Sequence, residues 1–253
     1  VGSEMCIRDS CNIVLGSLIF MNVYAIKIDT SLNDINSFIP LLSEERIKKI
    51  NKYIYENARK ISILSEILVK YTLYKEYRFS PHFIIFEYNE FGKPFLKDCK
   101  DIFFNISHSD NWIVCTVSES PVGIDVEGET SDVIPIAQKF FSEYENEYIR
   151  SGGLNNQDEM FCKIWTLKES YLKCIGKGLT IPLNSFSFEL HKDEILLYKD
   201  NVRISDFFFM NKKIDNDHYL SVCVNADKPD IENLDITMVS VENLLLWKEN
   251  MFR

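Results

Sequence analysis

Positive charge is scarce in this chain: 28 lysines and arginines stand against 38 aspartates and glutamates, a formal net charge of −10 over 253 residues. A general nucleic-acid surface needs the opposite balance, so that class of partner is excluded, and an acidic protein partner requires a local basic or apolar dock. Membrane-spanning runs are missing too. The apolar run at residues 11–20 is too short to cross a bilayer, and Arg8-Asp9 ahead of it is a poor basic leader. Residues 1–20 are therefore expected to be upstream sequence outside a fold that begins at Met21. With nine glycines and seven prolines, no Pro/Gly/Ser-rich stretch marks a flexible linker. The 46% of hydrophobic residues then fill one large core or two smaller ones. Seven cysteines are odd in number and form no C-x-x-C pair, which predicts reduced, buried thiols in a cytoplasmic protein.

What the chain does have is an ordered polar helix. In residues 161–173, Trp165, Glu169 and Lys173 recur every four residues, and at about 100° per residue they form one slowly drifting stripe. Alone, this is an ordinary solvated Glu-to-Lys pair. Upstream, however, Gly123-Ile-Asp-Val-Glu127 alternates two carboxylates with apolar residues in a strand pattern, and period 2 aims Asp125 and Glu127 to one side. Three carboxylates that converge repel one another unless a cation or protons intervene. Asp125, Glu127 and Glu169 are hard oxygen donors with no Cys or His partner set, so the ion predicted is Mg²⁺, or Mn²⁺, rather than Zn²⁺. Mg²⁺ fills its octahedron with water and phosphate oxygens, which implies a phosphate substrate, with Lys168 and Lys173 as cations to neutralise it.

The segments Phe104-Asn-Ile-Ser-His-Ser109, Pro121-Val-Gly-Ile-Asp-Val-Glu127, Lys139-Phe-Phe-Ser142 and Ile164-Trp-Thr-Leu-Lys-Glu-Ser-Tyr-Leu-Lys173 are followed by Gly176-Lys-Gly-Leu179 and Pro182-Leu183. In order and separation this set resembles the 4′-phosphopantetheinyl transferases of the surfactin-synthetase-activating (Sfp) type. The resemblance runs from about residue 21 to at least 188. It implies an α+β fold of two similar α/β lobes related by a pseudo-twofold axis, with the active site between them. Residues 21–122 are the expected first lobe and 123–253 the second. It also implies a monomeric, Mg²⁺-dependent enzyme that moves the 4′-phosphopantetheine arm of coenzyme A onto a serine of an apo acyl, peptidyl or aryl carrier protein, releasing adenosine 3′,5′-bisphosphate. Asp125, Glu127 and Glu169 would hold the metal, Lys173 would stabilise charge on the pyrophosphate, and Glu169 is the candidate base. Ser107 and His108 would contact the coenzyme, the family histidine reaching a phosphate, and the turn with Lys93 and Pro94 would lie along the adenine. Where the family places a 3′-phosphate arginine this chain has Ile61, so Arg59 or Lys60 is the expected substitute. Two rival classes are an Mg²⁺ phosphohydrolase and an inactive binding module.

Ordinary alternatives stand beside several of these residues. A loop imidazole at His108 either caps a backbone group or meets a ligand. Gly92-Lys93-Pro94 is either a plain hairpin turn or a ligand loop. Trp165 is core, ligand wall or both. The cluster Arg46, Lys48, Lys49, Lys52, Arg59 and Lys60 is, by default, a solvated helix face.

An internal repeat supports two lobes. Residues 60–70 and 163–173 share Lys, Ile, Leu, Glu and Lys at the same five offsets, and each helix leads into a similar strand pattern, at 112–117 and 219–224. Helices are predicted from 44, capped by Ser43, and at 56–76, 133–140, 143–150 and 159–175. Strands are predicted at 21–28, 83–87, 103–106, 186–190, 195–198, 219–224 and 235–241, with a turn at 89–94 and a loop at 151–157.

Overall fold

The computed structural model describes residues 21–251 apart from 30–34, 154–155, 193, 228, 230 and 232–233, with the backbone alone at residue 179. The expected leader at 1–20 lies outside the described residues. In chain order the elements are β1 (Met21–Lys27), α1 (Glu44–Ile50), α2 (Glu56–Tyr77), β2 (Phe86–Tyr88), β3 (Pro94–Leu96), β4 (Phe103–Ser109), β5 (Trp112–Ser118) and β6 (Val122–Gly128). There follow α3 (Val133–Phe140), α4 (Glu143–Ser151), α5 (Gln157–Ile175), β7 (Phe186–Leu190), β8 (Ile195–Lys199), β9 (Val202–Ile204), β10 (Phe207–Lys213), β11 (His218–Asn225), β12 (Ile236–Met238) and α6 (Val241–Met251).

Local chemistry sets the helix ends. The Ser43 hydroxyl accepts from the Arg46 amide to cap α1, and Ser142 and Glu145 form a reciprocal capping box at α4. Helix α2 stops at Arg78, left-handed at φ 59, ahead of Ser80-Pro81.

The two halves share one strand order. In the first, β1, then α2, then the β4–β5 hairpin give a sheet with β5 in the centre, β1-β5-β4. In the second, β6, then α5, then β10 and β11 give β6-β11-β10. The sequence repeat falls in α2 and α5. The sheets face each other across a shared apolar layer that includes Val23, Ala25, Val114, Ile124, Val126, Leu220 and Val222. Helix α2 covers the outer face of the first sheet with Ile63, Leu64, Ile67 and Leu68, and α5 covers the second with Phe161, Ile164, Leu167 and Leu172. A strand buried on both faces reads as a continuous apolar run, which is why every residue of β5 is buried.

Three sequence expectations shift. The strand predicted at 83–87 is confined to Phe86–Tyr88, because residues 80–83 close a turn in which the Phe83 amide donates to Ser80 O. Strand β10 was not anticipated: Phe207-Phe-Phe-Met210 shows no alternation to mark it. The closing strand at 235–241 is only Ile236–Met238, and it pairs parallel with β1 in the first sheet. Helix α6 follows it, burying Val241, Leu244 and Trp247 in the first core. The chain's last segment therefore packs with the first half, a correction to an unbroken second lobe at 123–253.

Among the described residues no helix is long and apolar enough to cross a membrane. Cys99, Cys115, Cys162, Cys174 and Cys223 are free, buried thiols.

Candidate active site at the seam between the sheets

Strands β4 and β6 lie side by side without backbone pairing, and side chains close the seam. Asn105, Ser107 and Ser109 share one face of β4. Asn105 Oδ1 accepts from the Ile124 amide at 2.9 Å, Ser107 Oγ donates to Asp125 Oδ1 at 2.8 Å, and Ser109 Oγ donates to Glu127 Oε2 at 2.9 Å. Helix α5 crosses directly over β6 at Gly123. A Cβ there would stand 2.0 Å from Ser170 O and 2.4 Å from the Cys174 amide nitrogen, so only glycine admits the contact. That approach carries Lys173 to the strand carboxylates. Its Nζ is 2.6 Å from Asp125 Oδ1 and 2.8 Å from Ser107 Oγ. Asp125 Oδ2 is buried and has no hydrogen-bond partner among the described residues.

Charge is poorly compensated here. Burial pushes the Asp125 carboxyl up, against the pull of Lys173 and Ser107. Glu127 is pushed to about 7, first by burial and then by Asp125. Glu169 is raised by burial and by Asp125 in spite of Lys173. Lys173 acts on all three carboxylates, and one Asp125 oxygen lacks a hydrogen-bond partner among the described residues. In donor type and charge the cluster suits a hard divalent cation. As the side chains stand, no three Asp, Glu, His or Cys side chains among the described residues are grouped to hold a metal ion; Lys173 sits on the Asp125 oxygen instead.

His108 follows Ser107 on the other face of β4: desolvation first, then the nearby cations Lys173, Lys49 and Arg46, hold its pKa below the usual value. Of the basic helix cluster, Lys49 and Arg46 are the cations that act on His108, together with Lys173. The Arg59 guanidinium instead donates to Asn36 Oδ1, and Arg46 is itself tied to Glu66 and Ser62. Lys168 also departs from expectation. Its Nζ is fully buried, 2.8 Å from Glu145 Oε1, and donates to Leu183 O and Phe186 O. Although it neighbours Glu169 in sequence, about 100° of helix rotation turns it into the core, so it is unavailable to phosphate. The Lys93 Nζ likewise points inward, to Val122 O and Cys174 O, while Pro94 opens β3.

Trp165, stacked on Phe161 at 5.5 Å, stands between two cavities beside the carboxylates. One of about 410 Å³ is lined by Ser109, Glu127, Ile136 and Trp165, and one of about 440 Å³ by Phe140, Trp165, Glu169 and Pro182. A roomier cleft of about 640 Å³, by Tyr219 and Phe207, contains none of the expected site residues. Asn105 and Ser109 were missed from sequence; their period-2 spacing with Ser107 was the available signal. Lys49 had none beyond its place in a basic helix.

Residues 29–120 match the family profile "4′-phosphopantetheinyl transferase, N-terminal", and residues 121–223 match that of the 4′-phosphopantetheinyl transferase superfamily. The chain is 33% identical to 4′-phosphopantetheinyl transferase Sfp of Bacillus subtilis (strain 168) over 227 residues, which cover 89% of this chain and 100% of that protein. It is 36% identical to 4′-phosphopantetheinyl transferase gsp of Aneurinibacillus migulanus over 203 residues, 80% of this chain and 84% of the other. A more distant relative is 4′-phosphopantetheinyl transferase HetI of a Nostoc species, 28% identical over 165 residues, 63% of this chain and 70% of that one. With family profiles matching residues 29–120 and 121–223 and relatives 33% and 36% identical over most of its length, this chain belongs to the 4′-phosphopantetheinyl transferase superfamily and is of the Sfp type.

Proposed function

We propose that the chain transfers the 4′-phosphopantetheine arm of coenzyme A to a serine of an apo acyl, peptidyl or aryl carrier protein. The observation that carries this reading is the contact of Lys173 Nζ with Asp125 Oδ1 and Ser107 Oγ at the seam, with Glu127 held beside them by Ser109. The serine oxygen attacks the β-phosphorus, the bond to the bridging oxygen breaks, and adenosine 3′,5′-bisphosphate leaves. Glu169 takes the serine proton; a carboxyl raised by burial is a better base than an ordinary one, and such help is typically worth about 10²- to 10⁴-fold. Lys173 balances the charge that develops on the pyrophosphate. His108 meets phosphate as a hydrogen-bonding imidazole. Asp125, Glu127 and Glu169 are the residues that would hold Mg²⁺ or Mn²⁺, which supplies charge neutralisation on the pyrophosphate when bound.

This chain is acidic overall, so an acidic carrier protein would need an apolar or local basic dock. Ile136 and Phe140 on α3 are 36% and 38% exposed and border the two cavities beside the carboxylates, which supports docking there. The free buried thiols support a reducing, cytoplasmic setting, with the chain acting as a monomer. The test is to incubate the protein with coenzyme A, Mg²⁺ and an apo carrier protein and to weigh the carrier. A carrier heavier by one phosphopantetheine, with the gain abolished by a chelator, is the expected result. An unmodified carrier alongside hydrolysed coenzyme A would overturn it in favour of a phosphohydrolase.

A further inference from the structure

Helix α5 ends where the first half of the chain meets it. The last carbonyls of any helix lack intrahelical partners, and α5 leaves the helix at Gly176, left-handed at φ 76. Two side chains from the β2–β3 turn supply what is missing. The Lys93 Nζ donates to Cys174 O and to Val122 O, at the start of β6, at 3.1 Å each. Asn89 Nδ2 donates to Gly176 O at 2.7 Å. Asn89 also shapes the turn, its Oδ1 accepting from the Phe91 and Lys93 amides at 3.0 and 2.9 Å. The fit is close: a Cβ at Gly176 would stand 3.0 Å from Lys93 Cδ and 3.3 Å from Asn89 Nδ2. An ammonium at a helix C-terminus is favourable with the helix dipole, and that of Lys93 is partly buried there.

We propose that Asn89 and Lys93 are positioning residues: they form a C-cap for α5 that is supplied from the β2–β3 hairpin and fixes the last helical turn, and with it the reach of Lys173 to Asp125. Lys173 sits one residue before the capped Cys174 and three before Gly176, in the turn that frays first when a cap is lost. The inference rests on the transferase function proposed above, in which Lys173 acts on the pyrophosphate, and it makes the hairpin a part of the catalytic helix's support rather than a plain connector.

Three variants of the full chain test it. Lys93→Met keeps the stem and removes the donor, Lys93→Arg keeps a cation, and Asn89→Asp keeps the turn's acceptor but loses the N–H to Gly176 O. The readouts are kcat and KM for coenzyme A with an apo carrier protein, and hydrogen exchange along α5. Lys93→Met should lower kcat by about 10²-fold, the loss a displacement near 1 Å can cause, with the KM for coenzyme A unchanged. Exchange should quicken at amides 172–176 and stay as in the wild type at 159–166. Lys93→Arg should recover most of kcat, and Asn89→Asp should repeat the pattern more weakly, deciding the matter if Lys93→Met fails to fold. A raised KM with normal kcat and normal exchange would assign Lys93 to the coenzyme and overturn the proposal. So would wild-type kcat and exchange in both Lys93→Met and Asn89→Asp, or exchange quickened along the whole of α5. A wild-type protein that transfers nothing would count against the transferase function alone, since the exchange data judge the cap by themselves.

Discussion

At the scale of single residues, the site's chemistry is set by one ammonium among three carboxylates. On the proposed function, Lys173→Ala removes a contact that acts on the pyrophosphate before and during transfer, so coenzyme A affinity and turnover should both weaken. Glu169→Gln keeps an oxygen but loses the proton acceptor, so single-turnover rate should fall by about 10²-fold or more while the calorimetric Kd for coenzyme A holds. Near-wild-type turnover in Glu169→Gln would remove the base role. Glu127 gives a pH test. Its carboxyl rises from an ordinary 4.5 to about 7 on folding, so the folded state holds the proton more tightly than the unfolded chain. The stability this confers is full below about 4.5 and is lost as pH rises through about 7. The metal-free protein should therefore melt lower at pH 8 than at pH 5, and Glu127→Gln should flatten that slope; an equal slope in the variant would exclude Glu127 as its source. Spacing in the sequence was enough to place Asp125 and Glu127 on one side of a strand and Glu169 and Lys173 on one face of a helix, whereas Ser107 and His108 were reached only through the family resemblance. The inward turn of Lys168 and Lys93 left no such mark. Nothing in a sequence tells a lysine that meets phosphate from one whose Nζ meets a carboxylate or a carbonyl in the core.

At the scale of elements, α2 and α5 carry the same five-residue pattern to different ends. Glu66 and Lys70, the counterparts of Glu169 and Lys173 in the repeat, are buried in a network: Lys70 Nζ is 3.4 Å and Arg46 Nε 3.1 Å from the Glu66 carboxylate, and Ser43 donates to it as well. Strand β1 offers Tyr24 and Ile26 where β6 has Asp125 and Glu127. The repeated helix is thus structural in one half and chemical in the other, and the difference lies in the strand beneath it. The α4–α5 pair has its own structural ion pair, Lys168 with Glu145, each fully buried. Burial lowers the Lys168 pKa against the pull of Glu145. Lys168→Met leaves the Glu145 carboxylate buried without its cation and should cost about 3–5 kcal/mol by denaturant unfolding. Lys168→Met combined with Glu145→Gln should recover part of that loss. In either variant, below its melting range, the Kd for coenzyme A should match the wild type; a weakened Kd with normal stability would return Lys168 to the phosphate.

At the scale of the whole molecule, the sequence showed two halves but not how the chain ends. The repeat in residues 60–70 and 163–173 was visible because helix faces are written in local spacing. The return of β12 and α6 to the first sheet was not, because pairing between residues more than two hundred apart leaves no local mark. That return joins the two halves twice, once through the apolar layer between the sheets and once through the C-terminal segment. Trp247 packs edge-on against Tyr71 of α2 at 5.4 Å, and Leu244 is fully buried in the first core. Leu244→Ala should therefore cost about 2–5 kcal/mol, and the loss should register in the first sheet, although residue 244 follows every strand of the second. Hydrogen exchange locates it: protection should fall soonest at β1 and in α2, with β11 and α5 following only in global unfolding. Should Leu244→Ala instead open β10 and β11 while β1 stays protected, α6 would belong with the second half, and the α6 packing described here would be wrong.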